Sequence, residues 1–125
     1  MHISKIRVST QATARLRVLR QRAGLTPNLI CRMAMAYSFE AGKIGPAPEI
    51  EEGQEFNAYT LFGTDQPIYT TLLRWIETED GEQADDRELL RRLQAHIDRG
   101  LGAISVRVRK PGDAARLLGG CIGAK

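Results

Sequence analysis

Cysteine and histidine are scarce in this chain, which has only Cys31, Cys121, His2 and His96. Two thiols cannot build a disulfide framework or a four-ligand zinc site, so both read as reduced cysteines of the cell interior. Cys31 has no second cysteine or histidine nearby in sequence and reads as packing. The two imidazoles offer no catalytic pairing by spacing: His2 sits at a terminus, and His96 falls on the polar flank of an expected helix, where it reads as a surface residue. No apolar run approaches the ~18 residues of a membrane span. The start, MHISKIRV, lacks the apolar stretch of a signal peptide, which leaves a cytoplasmic protein with no membrane partner as the expectation. The glycine clusters GLGA (100–103) and GGCIG (119–123) lack the preceding strand and the lysine of a phosphate-cradling loop, so no cofactor is indicated. The remainder, 125 residues at 13.9 kDa with 42% hydrophobic and 26% charged residues, suits a single folded domain spanning 1–125.

The net charge of +3 hides an uneven distribution. Residues 1–43 carry Lys5, Arg7, Arg15, Arg17, Arg20, Arg22, Arg32 and Lys43 against Glu40 alone. Residues 44–99 are strongly acidic, and residues 100–125 turn basic again with Arg107, Arg109, Lys110, Arg116 and Lys125 against Asp113. A basic segment on an otherwise balanced protein is the footprint of phosphate contact, because each neutralised phosphate releases condensed counterions. A solvated arginine-rich helix face would look the same in sequence.

Hydrophobic periodicity predicts a mainly α fold with a short β element: a ribbon-helix-helix-like β-α-α part followed by two further helices. In ISKIRVS (3–9), Ile6 and Val8 alternate with Lys5, Arg7 and Ser9, the period-2 pattern of a half-buried strand. Such a strand must pair with a later one or with its copy in another subunit. Ser9 or Thr10 caps a first helix with Ala12, Leu16, Leu19 and Ala23 on its buried stripe and Gly24 as its stop. Arg15 and Arg22 border that stripe on one side, Arg17 and Arg20 on the other. Thr26-Pro27-Asn28 opens a second helix that ends near Gly42, with Leu29, Ile30, Met33, Ala34 and Tyr37 inward.

KIGPAPEIEEGQ (43–54) reads as a surface loop. The stretch 55–63 alternates like a strand, yet Phe56, Tyr59 and Phe62 also fit a helical edge, and its type stays open. A third helix starts at Pro67 with Ile68, Leu72, Trp75 and Ile76 on its inner side. A fourth, capped by Asp85 or Asp86, buries Leu89, Leu90, Leu93 and Ile97 and stops at Gly100. Beyond it AISVRV (103–108) leans towards a strand but also fits a helix extended from Leu101, Asp113 to Leu118 can form a final helical turn, and 119–125 is expected to fray.

Asp85, Asp86 and Glu88 could collect a magnesium ion for strand cleavage, but acids at a helix start also serve capping and the helix dipole. The basic front carries the stronger signal. In a ribbon-helix-helix arrangement, outward strand residues, here Lys5, Arg7 and Ser9, enter the major groove. The amino end of the second helix, Thr26 to Asn28, offers free N–H groups to a phosphate. Candidate DNA contacts are therefore Lys5, Arg7, Arg15, Arg17, Arg20, Arg22, Thr26 and Asn28, with a transcription regulator and a metal-dependent nickase as alternatives.

Three blocks in order, IRVSTQATARLRVLRQRAGLTPNLICRMAMAYSFEAG, GQEFNAYTLFG and LLRRLQAHIDRGLGAI, resemble the DndE family, the small subunit of the bacterial DNA phosphorothioation system. The likeness runs from about residue 3 to 109 and matches nothing beyond Lys110. It implies a DNA-binding accessory of a machinery that replaces a non-bridging phosphate oxygen by sulfur. It further implies a preference for nicked duplex, contact with other Dnd subunits and homotetrameric assembly. The basic residues of the family's first helix fall on Arg15, Arg17, Arg20 and Arg22. Some relatives have been considered nicking enzymes, but no nucleophile or metal cluster stands on the basic segment of this sequence.

Overall fold

The computed structural model describes residues 1–110, 112–113 and 115–117. Expectations for the tail, 119–125, lie outside the described residues, and 112–113 and 115–117 are helical. The order is β1 (Lys5–Arg7), α1 (Thr10–Ala23), α2 (Pro27–Ala41), β2 (Glu55–Asn57), α3 (Ala58–Phe62), a 3-10 turn (Gly63–Asp65), α4 (Gln66–Thr78) and α5 (Asp86–Ser105). The stretch left open between strand and helix is both: β2 followed directly by α3. Asn57 makes the change, its side chain accepting from the N–H groups of Tyr59 and Thr60, as a helix N-cap does.

The strand period holds for β1. Ile6 and Val8 are buried, and β1 pairs antiparallel with β2 in the register Lys5↔Asn57, Ile6↔Phe56, Arg7↔Glu55. Bonds from Val8 N to Gln54 O and from Ala58 N to Ser4 O lengthen the ribbon at both ends. The partner strand belongs to the same chain, so β1 does not use the two-copy ribbon on which the regulator alternative depends.

Helix α1 follows the sequence closely: Ser9 caps it, Ala12, Leu16, Leu19 and Ala23 are buried, and Gly24 ends it at φ 70°. Helix α2 differs by one residue in phase. Its buried side chains are Ile30, Cys31, Ala34, Met35, Ser38 and Phe39, while Leu29 is exposed and Met33 and Tyr37 lie half-buried at the edge. The cause is its partner. Helix α2 packs chiefly on α5, and Gly100 of α5 comes so close to Ala34 that a Cβ there would stand 2.0 Å from the Ala34 carbonyl oxygen. Small residues must therefore face the crossing. Gly100 is a packing glycine, not a helix stop, and α5 continues to Ser105.

The segment 103–108 is correspondingly helix and turn, not strand. The N–H groups of Arg107 and Val108 both return to the Ile104 carbonyl, and Val108 is buried. In α5, Leu89, Leu93 and Ile97 are buried as expected, and Leu90 is half-buried. In α4 three of the four residues expected on the inner face turn outward, and only Ile76 packs on the core. Ile68, Leu72 and Trp75 point outward, Trp75 with 65% of its surface exposed, while Leu73 and Glu77 are buried and Tyr69 and Ile76 half-buried. The helix carries two apolar stripes one residue apart, and periodicity cannot choose between them. Among the described residues no helix is long and apolar enough to cross a membrane.

Candidate nucleic-acid interface

Because Ala12, Leu16, Leu19 and Ala23 seat α1 in the core, its arginines must emerge on the flanks and the outer side. Arg17 and Arg20 are exposed, on the flank that also carries Thr13. There the irregular 43–54 segment docks, Gln54 N donating to Thr13 Oγ1 at 2.9 Å. Arg15 and Arg22 turn the other way, towards the carboxyl end of α5. Arg22 Nη1 donates to the Ser105 carbonyl at 3.2 Å, and the Arg15 guanidinium lies beside Gly102, where a Cβ would meet its Nη1 at 3.0 Å. Among the described residues none of these four arginines has a carboxylate within ion-pair distance, so α1 keeps its full positive charge.

The remaining candidates are placed differently. Lys5 Nζ and Arg7 Nη2 both face Glu55 across the ribbon, at 3.9 and 3.4 Å, and Arg7 Nη1 donates to the Gly53 carbonyl. Glu55 therefore offsets much of their charge. Ser9, expected outward, is half-buried and spends its hydroxyl on Asp98 Oδ1 at 2.6 Å while its oxygen caps Ala12 N. Thr26 precedes α2 in extended backbone, but its side chain makes no capping bond. Asn28 Nδ2 donates to the Thr60 carbonyl, tying the start of α2 to α3. The α1 arginines thus lie on one helix but on two flanks, while Lys5 and Arg7 face Glu55 and Asn28 is held by the Thr60 carbonyl.

The acids proposed for a metal each have another partner. Asp85 caps α5 through Glu88 N, Asp86 pairs with Arg74, and Glu88 receives Arg91, Arg92 and the Ala47 N–H. Among the described residues no group of histidine, cysteine or carboxylate side chains has a metal-holding arrangement. Cys31 is fully buried, and burial pushes its thiol up to about 12, which makes it inert packing.

His96 is the clearest departure from the sequence reading: it is fully buried. Its Nδ1 lies 2.7 Å from Ser38 Oγ and its Nε2 2.7 Å from Glu77 Oε2. Arg99 Nε donates to Ser38 Oγ. A carboxylate can only accept, so Glu77 fixes the imidazole proton on Nε2; Nδ1 of the neutral ring is then the acceptor, and Ser38 donates to it while accepting from Arg99. Glu77, also fully buried, accepts the N–H groups of Ile44 and Gly45 at 2.9 Å each, and Arg92 Nη1 at 3.4 Å. Burial pulls its carboxyl up, but these donors outweigh it and hold the group below the usual carboxylate range. Burial likewise moves His96 below its ordinary value, against the pull of Glu77. Arg92 also reaches Glu82 and Glu88, and Lys43 pairs with Asp80 and Glu82 at 2.6 Å each. The serine–histidine–glutamate relay is sealed in the core and serves as a brace joining α2, α4 and α5 to the segment after Gly42. A signal for it was present: Leu89, Leu93, His96 and Gly100 follow the 4-3-4 spacing of one buried stripe.

These features define a small helical fold with an intrachain β ribbon and a first helix whose arginines meet no carboxylate among the described residues. The profile of the DndE family, described as "DNA sulphur modification protein DndE", matches residues 5–110, and the chain belongs to that family. The crystal structure of DndE from Escherichia coli B7A, involved in DNA phosphorothioation modification, has the same fold with a TM-score of 0.70 at 22% identity, covering 83% of this chain and 99% of that one. A DndE mutant involved in DNA phosphorothioation gives a TM-score of 0.71 at 20% identity, with the same coverage. A search of the curated proteins finds no match.

Proposed function

We propose that this DndE-family protein is a DNA-binding accessory of phosphorothioate modification, gripping the backbone of duplex, and of nicked duplex in particular, through α1. One observation carries the reading: Arg15, Arg17, Arg20 and Arg22 meet no carboxylate among the described residues, although the chain holds fifteen acids and pairs many of its other cations. A guanidinium grips a phosphate with two parallel hydrogen bonds, and such contacts position a protein without reading sequence. A break in one strand lowers the cost of bending the duplex against this edge. No reaction on the DNA is required of the chain.

Gel-shift titration of intact, nicked and single-stranded DNA over a salt series tests the proposal. Replacing Arg17 and Arg20 together by alanine is expected to weaken duplex binding and to flatten the salt dependence by about two units of slope. An unchanged slope removes the Arg17 and Arg20 flank from the interface. The outward stripe Ile68, Leu72 and Trp75 on α4 supports a protein contact beside the DNA contact. Exposed apolar faces of this kind mark interaction sites. To this reading the family resemblance adds self-association, as a tetramer, and contact with other Dnd subunits. Light scattering of the wild type and of Trp75→Glu checks the first, a fall in mass being the expected result.

A further inference from the structure

Between α1 and the carboxyl end of α5 lies a groove of about 330 Å³ lined by Ala14, Arg15, Val18, Arg22, Ser105 and Arg109. It brings together guanidinium groups from opposite ends of the described chain, and among the described residues no carboxylate lines it. Arg109 was not among the candidates named from sequence. Its position is set by its neighbours: Val108 is buried beside Leu19, Ala23 and Ile104, so Arg107 and Arg109 leave the turn in different directions. Arg107 lies over the Tyr37 ring, 5.3 Å from its centroid, and Arg109 enters the groove. Asp113 is the one acid after Asp98 in the sequence. It accepts the N–H groups of Arg109 and Lys110 and pairs with Arg116, which fixes the backbone of Arg109 without lining the groove.

Like charges converging on one cleft repel each other until an anion enters. Arg22 spends one of its five N–H donors on Ser105. Ala14 and Val18 supply an apolar wall beside the cations, the chemistry of a sugar resting against a side chain while its phosphate is held. We propose that this groove seats one phosphate of a nucleic-acid strand, its oxygens shared among Arg15, Arg22 and Arg109. The inference rests on the backbone-binding reading above and adds to it a second locus, distinct from the Arg17 and Arg20 flank.

The test is fluorescence-anisotropy titration of a short duplex over a salt series with the full-length protein, as wild type, Arg109→Gln, Val18→Glu, Arg107→Gln and the Arg17, Arg20 double alanine variant. Arg109→Gln should lose about one unit of salt slope and about threefold to tenfold in affinity near 0.1 M salt. Val18→Glu, which places a carboxylate in the groove, should lose more, and Arg107→Gln should match the wild type. All the altered side chains are exposed, and unchanged thermal melts will verify folding. If Arg109→Gln and Val18→Glu bind as the wild type does while the double variant weakens, the groove proposal is overturned and the α1 reading stands. If the wild type binds no DNA, both are overturned. Inorganic phosphate distinguishes the source: arginine Nε–H resonances of the groove should move with oligonucleotide at concentrations where free phosphate leaves them in place, and equal response to free phosphate overturns the strand assignment.

Discussion

The arginines of α1 and those of α5 are the same residue type in helices of similar burial pattern, yet their surroundings are opposite. Arg92 of α5 is 1% exposed and meets Glu77, Glu82 and Glu88; Arg17 and Arg20 of α1 are exposed and meet no carboxylate among the described residues. Where acids converge, the guanidinium is a structural brace whose charge is cancelled locally. Where they do not, the charge acts outward on whatever polyanion approaches. Lys5 and Arg7 stand between the two cases, exposed enough to touch a ligand but matched by Glu55.

Breaking the brace should give the largest effect. Glu77→Ala removes the acceptor for His96, Arg92 and two backbone N–H groups and leaves buried donors unpaired, so about 3–5 kcal/mol of stability should be lost in urea denaturation. DNA affinity per folded molecule should be unchanged, since the brace does not line the α1 edge. Next comes the helix crossing that positions α5. Gly100→Ala places a methyl against the Ala34 carbonyl and should cost about 1–3 kcal/mol or more, read as a lower midpoint at constant denaturant slope.

The brace also predicts acid sensitivity. His96 has a folded pKa below its ordinary value of 6.5, so the unfolded chain binds the proton more readily, and stability complete above pH 6.5 declines as pH falls from there. The Arg92 and Lys43 partners hold Glu82 down at about 2. Glu77 and Glu88 are also lowered. Their stabilisation is present above about pH 4.5 and is lost as pH drops towards the folded values. Chemical denaturation between pH 8 and 3 should show a shallow decline followed by a steeper one, and a profile flat to pH 4 would contradict the buried neutral histidine.

A smaller change sharpens the intermediate case. Glu55→Gln releases Lys5 and Arg7, and duplex binding should tighten by a few-fold at low salt, with the gain vanishing at high salt. The smallest effect separates the two helix starts. Ser9→Ala should cost about 1 kcal/mol, whereas Thr26→Ala should cost almost nothing, because only the Ser9 side chain accepts a capping bond.

Local signals are unambiguous where one physical rule acts alone. The Ser9 cap, the Gly24 stop and the α1 stripe depend on neighbours within four residues, so the strand, the first helix and the clustering of arginines along it were legible. The sequence is ambiguous where two patterns coexist. In α4, Ile68, Leu72 and Trp75 form as regular a stripe as Tyr69, Leu73 and Ile76, and only the packing of neighbouring elements decides which one is inside. At Gly100 a glycine that serves as a helix stop in isolation is required instead by the backbone of a helix far away in sequence.

The sequence by itself determined a mainly helical chain opening on a short strand, the family and the arginine-rich first helix, since each follows from spacing, capping or ordered motifs along the chain. Tertiary structure alone decided which charges are cancelled and which remain. That His96 is buried between Ser38 and Glu77, that Glu55 faces Lys5 and Arg7, and that Arg109 joins Arg15 and Arg22 are all contacts between residues 19 or more positions apart. Electrostatic energy depends on distance through space, and no periodicity in the chain encodes that distance.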